Sequence, residues 1–418
     1  MGKLSTESQG TSRVTWDHLE GWVRGKVQEL IQTLLEEEVT ELLGRNKSAR
    51  RQAVGSDVSV PGYRNGYGKE RRLTLSCGTI KVRRPRVRGL EQRMESRVLL
   101  LFSRRTREVD QLTPELYLHG LAQGDFDLAL RGLLGEEAPI SAGTVARLKE
   151  KWQGELKEWK ERSLAGLEVV YLWVDGVYVK AGLEKTKAAL LVAIAGLSDG
   201  RKVVLGLEPG HRESTESWTE LLRGLKGRGM TCPRLVEGDG HLGIWGALRN
   251  VYPEALEQRC WNHKMVNVLD KLPKKRQGEA KGQLQQIAYA DTLAQAEARR
   301  DQFVRWCQRE GQPAAAATLV RDWERMVTFY QFPREHWRHL RTTNVVESPF
   351  AALRLRTNAA KRFKKVENAT AVIFKMLLLA EGRFRRLNAP ERMQQVYLRV
   401  RFQDGIEVKQ ERLQELAA

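Results

Sequence analysis

The sequence is poor in cysteine, and its few cysteines are far apart. The 418 residues include 4 cysteines, Cys77, Cys232, Cys260 and Cys307. No two of them form a C-x-x-C pair, whereas disulfide frameworks and tight structural zinc sites need clustered cysteines. We therefore expect no disulfides, as is typical of a reducing compartment.

Long apolar segments are also missing. The sequence has no run of about eighteen apolar residues, so no segment predicts a membrane-spanning helix. The opening stretch MGKLSTESQGTSR lacks the apolar centre of a signal peptide. These absences lead us to expect a soluble, intracellular protein.

Acidic residues are scarce relative to basic ones. Lys and Arg number 71 against 52 Asp and Glu, which gives a net charge of +19. Residues 45–110 hold 18 basic and 6 acidic residues, and thus +12 of that charge. Such a concentration favours a polyanionic partner, with nucleic acid the leading candidate, although many basic chains have no such partner.

The first part of the chain predicts a helix followed by a hairpin. Apolar residues at helical spacing in LEGWVRGKVQELIQTLLEEEVTELLG predict one long amphipathic helix that ends at Gly44. These residues are Val23, Val27, Leu30, Leu34, Val39, Leu42 and Leu43. Alternation at Leu73 and Leu75, and again at Ile80 and Val82, predicts a β-hairpin that turns at Cys77–Gly78.

Residues 112–162 predict three helical segments. Gly124 and the stretch GEEAPI separate them, and Ser141 is placed to cap the last. The pattern fits a helix-turn-helix, but it fits an ordinary helical linker equally well.

The next block is rich in β-structure and carries two aspartates at the ends of apolar runs. The runs LEVVYLWVDGVYVK, KAALLVAIAGL and RKVVLGLEP predict three strands, followed by a helix, a short strand and another helix. Asp175 is predicted to end the first strand, in LWVDG, and Asp239 the fourth, in VEGDG. If those strands are neighbours, the two carboxylates meet, although an Asp before Gly is more often a turn residue.

A third carboxylate comes from a later helix. Glu347 lies in RTTNVVESPFAALRLRT, where Asn344 is placed to cap the helix. Three converging carboxylates repel one another unless cations neutralise them, and Mg²⁺ or Mn²⁺ does so with oxygen ligands. A Glu on a helix is by itself usually a solvated charge, so the hypothesis depends on the three acids together.

These motifs together resemble the Mutator-type transposases of bacterial insertion sequences. The matching stretches include LLEEEVTELLGR, GYRNGY, LWVDGVYVK, GDGHLGIWGAL, YPEALEQRCWNHKMVNVLDKLP and RTTNVVESPFAALRLRT. The resemblance implies an Asp-Asp-Glu triad at Asp175, Asp239 and Glu347 in an RNase H-like core. It implies two Mg²⁺ or Mn²⁺ ions per site, a homodimer on paired element ends, and a bacterial cytoplasmic, nucleoid-associated location.

The fold class expected from the resemblance is α/β, or α+β overall. A mixed-sheet, RNase H-like core would be interrupted by an all-helical insertion, because Asp239 and Glu347 are 108 positions apart and the interval is helix-rich; a separate domain is the alternative. The predicted layout is a disordered tail at 1–13, a basic DNA-binding region at 14–110, a helix-turn-helix-like domain at 111–165, core at 166–263, insertion at 264–340, and core with C-terminal helices at 341–418.

Cys260 and His263 form half of a possible zinc site. His336 and His339 would supply two more ligands, but they are distant in sequence and the tight C-x-x-C halves are missing. We expect no zinc. The resemblance implies instead that Cys260 and His263 support the active site beside Asp239, together with Asn344.

Basic residues before Asp175 and after Glu347 are the candidates for DNA contact. They are Arg64, Arg71, Arg72, Lys81, Arg83, Arg84, Arg86, Arg354, Arg356, Lys361 and Arg362. A basic run after a helix also complements the helix dipole, which is the plainer interpretation of the last four.

The function implied by the resemblance is a DNA transposase acting on terminal inverted repeats and target DNA. Two alternatives stay open. One is a catalytically silent DNA-binding protein descended from a transposase, and the other is an RNase H-like nuclease that does not transpose.

Overall fold

The computed structural model describes most of the chain as two compact units, residues 1–148 and 149–418. The described residues are 15–49, 61–100, 103–122, 125–134, 142–182, 187–210, 213–240 and 242–408. The predicted tail at 1–13 and the predicted helix cap Ser141 lie outside them.

A long helix, α1 (Leu19–Leu43), opens the first unit after a short 3-10 turn at Trp16–His18. It ends where predicted, since Gly44 adopts a left-handed conformation with φ of 63°. Its buried face is narrower than predicted: Leu35 and Val39 are fully buried, whereas Leu30 is 58% exposed.

The predicted hairpin is confirmed. Strands β1 (Tyr63–Leu75) and β2 (Gly78–Arg88) pair antiparallel, with Leu75 opposite Gly78 at the turn. A φ of 120° at Gly78 explains why glycine occupies the turn. The alternating apolar residues of the hairpin form one core cluster with Leu35 of α1.

Three helices follow, as predicted for this block. They are α2 (Arg107–Leu118), α3 (Phe126–Leu134) and α4 (Ala142–Glu161). The boundary between the two compact units falls inside α4. A DNA-binding role for these helices stays a prediction.

A five-stranded mixed sheet dominates the second unit, with strand order β5-β4-β3-β6-β7. The strands are β3 (Val169–Val179), β4 (Ala188–Leu197), β5 (Lys202–Gly210), β6 (Leu235–Gly238) and β7 (Leu256–Arg259). The first three are antiparallel, and β6 and β7 continue the sheet in parallel from β3. The predicted strands are confirmed, but β7 was missed because its sequence, LEQR, is short and half polar.

Helices α5 (Thr215–Gly227) and α6 (Leu242–Val251) pack on the sheet. Ser214 caps α5 by accepting a hydrogen bond from the Ser217 backbone N–H at 3.2 Å. Trp218 and Leu222 of α5 and Trp245 of α6 are buried in one core cluster with alternate residues of β3.

All elements between β7 and the helix that carries Glu347 are helical. They are α7 (Trp261–Leu269), α8 (Lys274–Ala288), α9 (Leu293–Arg309), α10 (Pro313–Val320), α11 (Trp323–Met326) and α12 (Trp337–Leu340), with 3-10 turns at Thr328–Gln331 and Arg334–His336. The chain continues with α13 (Asn344–Ala359), α14 (Val366–Glu381), α15 (Pro390–Tyr397), β8 (Phe402–Gln403) and β9 (Ile406–Glu407).

Two histidines attach the end of this helical interval to the sheet. His336 Nδ1 lies 2.8 Å from the Tyr171 hydroxyl, and the His339 carbonyl accepts the Trp173 indole N–H at 2.8 Å. Burial lowers the pKa of His339 to about 4 and lowers that of His336 as well. Both therefore serve as neutral packing residues on β3.

Among the described residues, no helix combines the length and the apolar character needed to span a membrane.

The difference between the predicted and observed faces of α1 can be tested on one helix. Leu35→Ala should lower the free energy of unfolding by about 2–5 kcal/mol, because it removes a fully buried side chain. Leu30→Ala, the same change at a largely exposed position, should cost less than about 0.5 kcal/mol. Urea unfolding of the full chain, followed by circular dichroism, measures both, and equal losses would contradict the observed packing.

Candidate active site

Asp175 and Asp239 lie side by side on neighbouring parallel strands. In the β3–β6 pairing, Trp173 is opposite Glu237, so the same register brings Asp175 level with Asp239. Asp239 follows β6 directly, as predicted. Asp175 lies in the middle of β3, not at its end as predicted, because the strand continues to Val179.

A third carboxylate joins these two, and it belongs to Glu213. Oxygens of Asp175, Glu213 and Asp239 lie within 4.8 Å of one another. Glu213 directly precedes Ser214, the N-cap of α5, and is only 7% exposed. The sequence analysis missed it; the burial of an acid just before a helix cap is a tertiary feature with no local signal.

The proximity of the three carboxylates changes the acidity of Asp175. Burial, the charge of Asp239 and the charge of Glu213 raise the pKa of Asp175 from 3.8 to about 7. The Gly176 N–H donates to Asp175 Oδ1 at 2.7 Å, and nearby His263 also favours the charged form. These two contacts only partly offset the burial and the repulsion.

Glu347 lies in a second, neighbouring group with Cys260 and His263. One potential ligand atom from each of these residues lies within 4.8 Å of the others. His263 Nδ1 is 3.7 Å from Glu347 Oε1, and His263 also acts electrostatically on Asp175. His263 thus interacts with Glu347 in this group and with Asp175 in the acidic cluster.

Thr343 holds this second group together. Its hydroxyl is hydrogen-bonded to Glu347 Oε1 and lies 3.2 Å from Cys260 Sγ, which also accepts the Thr343 backbone N–H at 3.3 Å. Thr343 is fully buried. Burial raises the pKa of the Cys260 thiol, which favours the neutral form over the thiolate that zinc requires. Zinc absence stays a prediction.

The predicted role of Asn344 as a helix cap is wrong. The residue before α13 is Thr343, and Asn344 is the first residue of the helix itself. The Asn344 side-chain oxygen instead accepts a hydrogen bond from Asn262 Nδ2 at 3.3 Å. It therefore connects α13 to α7, the helix that carries His263.

Glu237 is a further acid that the sequence analysis did not single out. It lies two residues before Asp239, on the same face of β6 by strand alternation, and is buried. Burial, with added repulsion from Cys260 and Glu347, raises its pKa well above the ordinary value.

The basic candidates of the first unit divide into structural and exposed residues. Arg64 donates to Thr40 Oγ1 at 2.7 Å, Arg71 donates to the Ser103 carbonyl at 2.6 Å, and Arg84 donates to the Met94 carbonyl. Four others are exposed on the hairpin and form what we call the basic stripe: Arg72, Lys81, Arg83 and Arg86.

The basic candidates of the second unit divide in the same way. Arg354, Lys361 and Arg362 are exposed, and Arg362 also donates to the Gly182 carbonyl at 2.8 Å. Arg356 is only 2% exposed on α13, so its guanidinium is not available to a phosphate in this arrangement. The prediction for Arg356 overlooked that it lies on the packed face of the helix.

Repulsion in the acidic cluster predicts that the Asp175→Asn variant is more stable than wild type in EDTA. Because the folded-state pKa is about 7 against 3.8, ionisation of Asp175 opposes folding increasingly as pH rises through that interval. The variant should gain on the order of 4 kcal/mol at pH 8 and nothing at pH 3.5, since the folded-state pKa lies roughly three units above 3.8 and one pKa unit corresponds to about 1.4 kcal/mol.

Thermal unfolding across this pH range measures the effect. Asp199→Asn is the control, because Asp199 is paired with Arg201 in a surface turn. A destabilised Asp175→Asn protein at pH 8 would contradict the repulsion.

Comparisons with known proteins identify the family of this chain. The sequence profile of the family described as "Transposase, Mutator family" matches residues 3–385. The transposase for insertion sequence element IS6120 of Mycolicibacterium smegmatis is 42% identical over 282 residues, covering 68% of this chain and 87% of the relative. That for element IST2 of Acidithiobacillus ferrooxidans is 41% identical over 280 residues, covering 66% and 94%. The chain therefore belongs to the Mutator family of transposases.

Proposed function

We propose that this protein is a DNA transposase that cuts and joins the ends of an insertion sequence through Asp175, Asp239 and Glu347. The observation that carries the proposal is the adjacency of Asp175 and Asp239 on parallel strands β3 and β6. Glu347 lies in the neighbouring group, linked to them by His263. The relatives named above are transposases of insertion sequences, which supports the same role here.

The sheet fits an RNase H-like core. Three antiparallel strands, a helix, a parallel strand, a second helix and a further parallel strand follow one another in β3 to β7. In this proposal the helices of residues 264–340 are an insertion between the second and third acids. Residues 166–263 and 341–418 then form the two parts of the core, and 14–110 and 111–165 bind DNA.

The acidic cluster fits a hard divalent cation. Its donor atoms are carboxylate oxygens within 4.8 Å of one another, the ligand type that Mg²⁺ and Mn²⁺ prefer. When bound, a pair of such ions stabilises the attacking and leaving oxygens of an in-line phosphoryl displacement. Asp175 and Asp239 would hold the cations, and Glu347 would complete the set by exchanging its Thr343 hydrogen bond for a cation.

The proposed reaction has two displacements of the same type. In the first, a water oxygen bonds to phosphorus at the element end, and the bond to the 3′-oxygen breaks to leave a 3′-hydroxyl. In the second, that hydroxyl attacks a target phosphodiester and releases another 3′-hydroxyl. Cys260, His263 and Thr343 would keep Glu347 beside the aspartates through both displacements.

The basic stripe is the proposed phosphate-binding surface of the first unit. Arg72 and Lys81 are directly opposite in the hairpin register, so their two positive charges lie side by side. A phosphate group of the DNA backbone would be attracted by both. One protomer of a homodimer would bind each terminal inverted repeat.

The triad is tested by Asp175→Asn, Asp239→Asn and Glu347→Gln. Each variant keeps the size of the side chain but removes a charge that a cation needs, so cleavage and strand transfer should fall by about 10³-fold or more. Double variants should be little worse, because residues that act as one unit are non-additive. Cleavage of a labelled duplex that carries an element end, with Mg²⁺ present, measures this.

Asp199→Asn, outside the cluster, should keep near wild-type cleavage. Normal cleavage by Glu347→Gln would remove Glu347 from the triad. Equal wild-type activity on random duplex and on element ends would favour a non-transposing nuclease.

The basic stripe is tested by replacing Arg72, Lys81, Arg83 and Arg86 together with Gln. Binding should weaken on every DNA sequence, and the slope of log affinity against log salt should flatten by roughly 0.9 for each phosphate that the variant no longer neutralises. Replacing Arg71 and Arg84 is the comparison, because their bonds to backbone carbonyls give them a structural role. An unchanged salt slope in the fourfold variant would refute the assignment.

A further inference from the structure

Glu213 lies in one cluster with Asp175 and Asp239, yet it is not a member of the proposed triad. We propose that Glu213 is a cation ligand of the active site, and that in the DNA-free protein it binds a divalent ion together with Asp175 and Asp239. This inference rests on the proposed metal-dependent function. It adds Glu213 as a ligand of that site, and it assigns Glu347 a role only once DNA is bound.

The carboxylate of Glu213 is seated directly on the backbone next to Asp175. A Cβ added at Gly176 would lie 2.4 Å from Glu213 Oε1 and 2.7 Å from its Cδ. Any side chain at position 176 would therefore displace the carboxylate. The glycine after Asp175 is explained by this contact, which keeps Glu213 beside Asp175.

The backbone of Glu213 is held just as closely from another element. A Cβ at Gly243, in the first turn of α6, would lie 2.3 Å from the Glu213 carbonyl oxygen. The Tyr178 hydroxyl of β3 donates a hydrogen bond to the Glu213 carboxylate. Glu213 thus contacts β3 and α6 and directly precedes the Ser214 cap of α5, and these neighbours place it beside the aspartates.

Two basic side chains near the cluster are each engaged with another acid. The Arg259 side chain lies against Gly240, directly after Asp239, but its Nη1 is bound to Asp322 Oδ2 at 2.6 Å. His263 is shared with Glu347. The cluster itself brings three carboxylates together and offers only oxygen atoms as ligands. A hard divalent cation prefers such ligands and would offset the repulsion between them.

The positions of the four acids give this proposal a specific consequence. Glu213 lies within the cluster of Asp175 and Asp239, whereas Glu347 is hydrogen-bonded to Thr343 in the neighbouring group. Cation affinity without DNA should therefore depend on Glu213 and hardly on Glu347. Catalysis on DNA should depend on Glu347.

The experiment is calorimetric titration of the DNA-free, full-length protein with Mn²⁺. Glu213→Gln should weaken Mn²⁺ binding by about 10-fold or more, as should Asp175→Asn, since each removes a direct ligand. Glu347→Gln should leave the affinity close to that of wild type, because Glu347 is bound to Thr343 outside this cluster. Glu220→Gln, an exposed acid on the same helix α5, is the matched control and should bind as wild type does.

A merely structural Glu213 would give a different result. Glu213→Gln would then melt at a lower temperature in EDTA but keep its Mn²⁺ affinity, and that outcome overturns the proposal. Glu213→Asp keeps the charge but withdraws the carboxylate, so it should also weaken binding; unchanged affinity in this variant overturns the proposal even if Glu213→Gln does not fold.

The outcomes also separate this inference from the proposed function. Loss of Mn²⁺ binding in Asp175→Asn with normal binding in Glu213→Gln refutes the role of Glu213 alone. Normal binding in both variants refutes the metal site itself. If the wild-type protein binds no Mn²⁺ without DNA, the proposed site in the DNA-free protein is refuted. Cleavage of DNA by the same protein with Mg²⁺ would still support the triad.

Discussion

The parallel pairing of β3 with β6 is the constraint on which the site depends. Because Trp173 is opposite Glu237, Asp175 within β3 comes level with Asp239, which directly follows β6. Apolar contacts from α5 and α6 hold the two strands in this register. A shift by one residue would turn every side chain of β6 to the other face and separate the aspartates.

This arrangement brings the carboxylates of Asp175, Glu213 and Asp239 together, and their negative charges repel one another. Burial and two neighbouring carboxylates raise the pKa of Asp175 to about 7. Glu213 is only 7% exposed, with its carboxylate close to Gly176 and its backbone carbonyl close to Gly243. A divalent cation at the proposed site would relieve this repulsion.

A polar network positions the second group of residues. Thr343 lies at the start of α13 and contacts both Cys260 Sγ and Glu347, while Asn344 bonds to Asn262 of α7. The helical interval before α13 is attached to β3 by two hydrogen bonds. Tyr171 bonds to the His336 side chain, and Trp173 donates to the His339 carbonyl. Glu347 is thereby brought beside His263, which also acts electrostatically on Asp175, although more than a hundred residues separate Glu347 from Asp239 in sequence.

The sequence by itself determined the local elements: the end of α1 at Gly44, the hairpin turn before Gly78, the strand and helix order around Asp175 and Asp239, and the basic character of the hairpin. These follow from periodicity, glycine conformation and charge, which act between near neighbours. Only the tertiary structure decided that Glu213 joins the aspartates, that Arg356 is buried, and that LEQR forms an edge strand. Each depends on packing between segments distant in sequence, and such contacts leave no periodic signal in the chain.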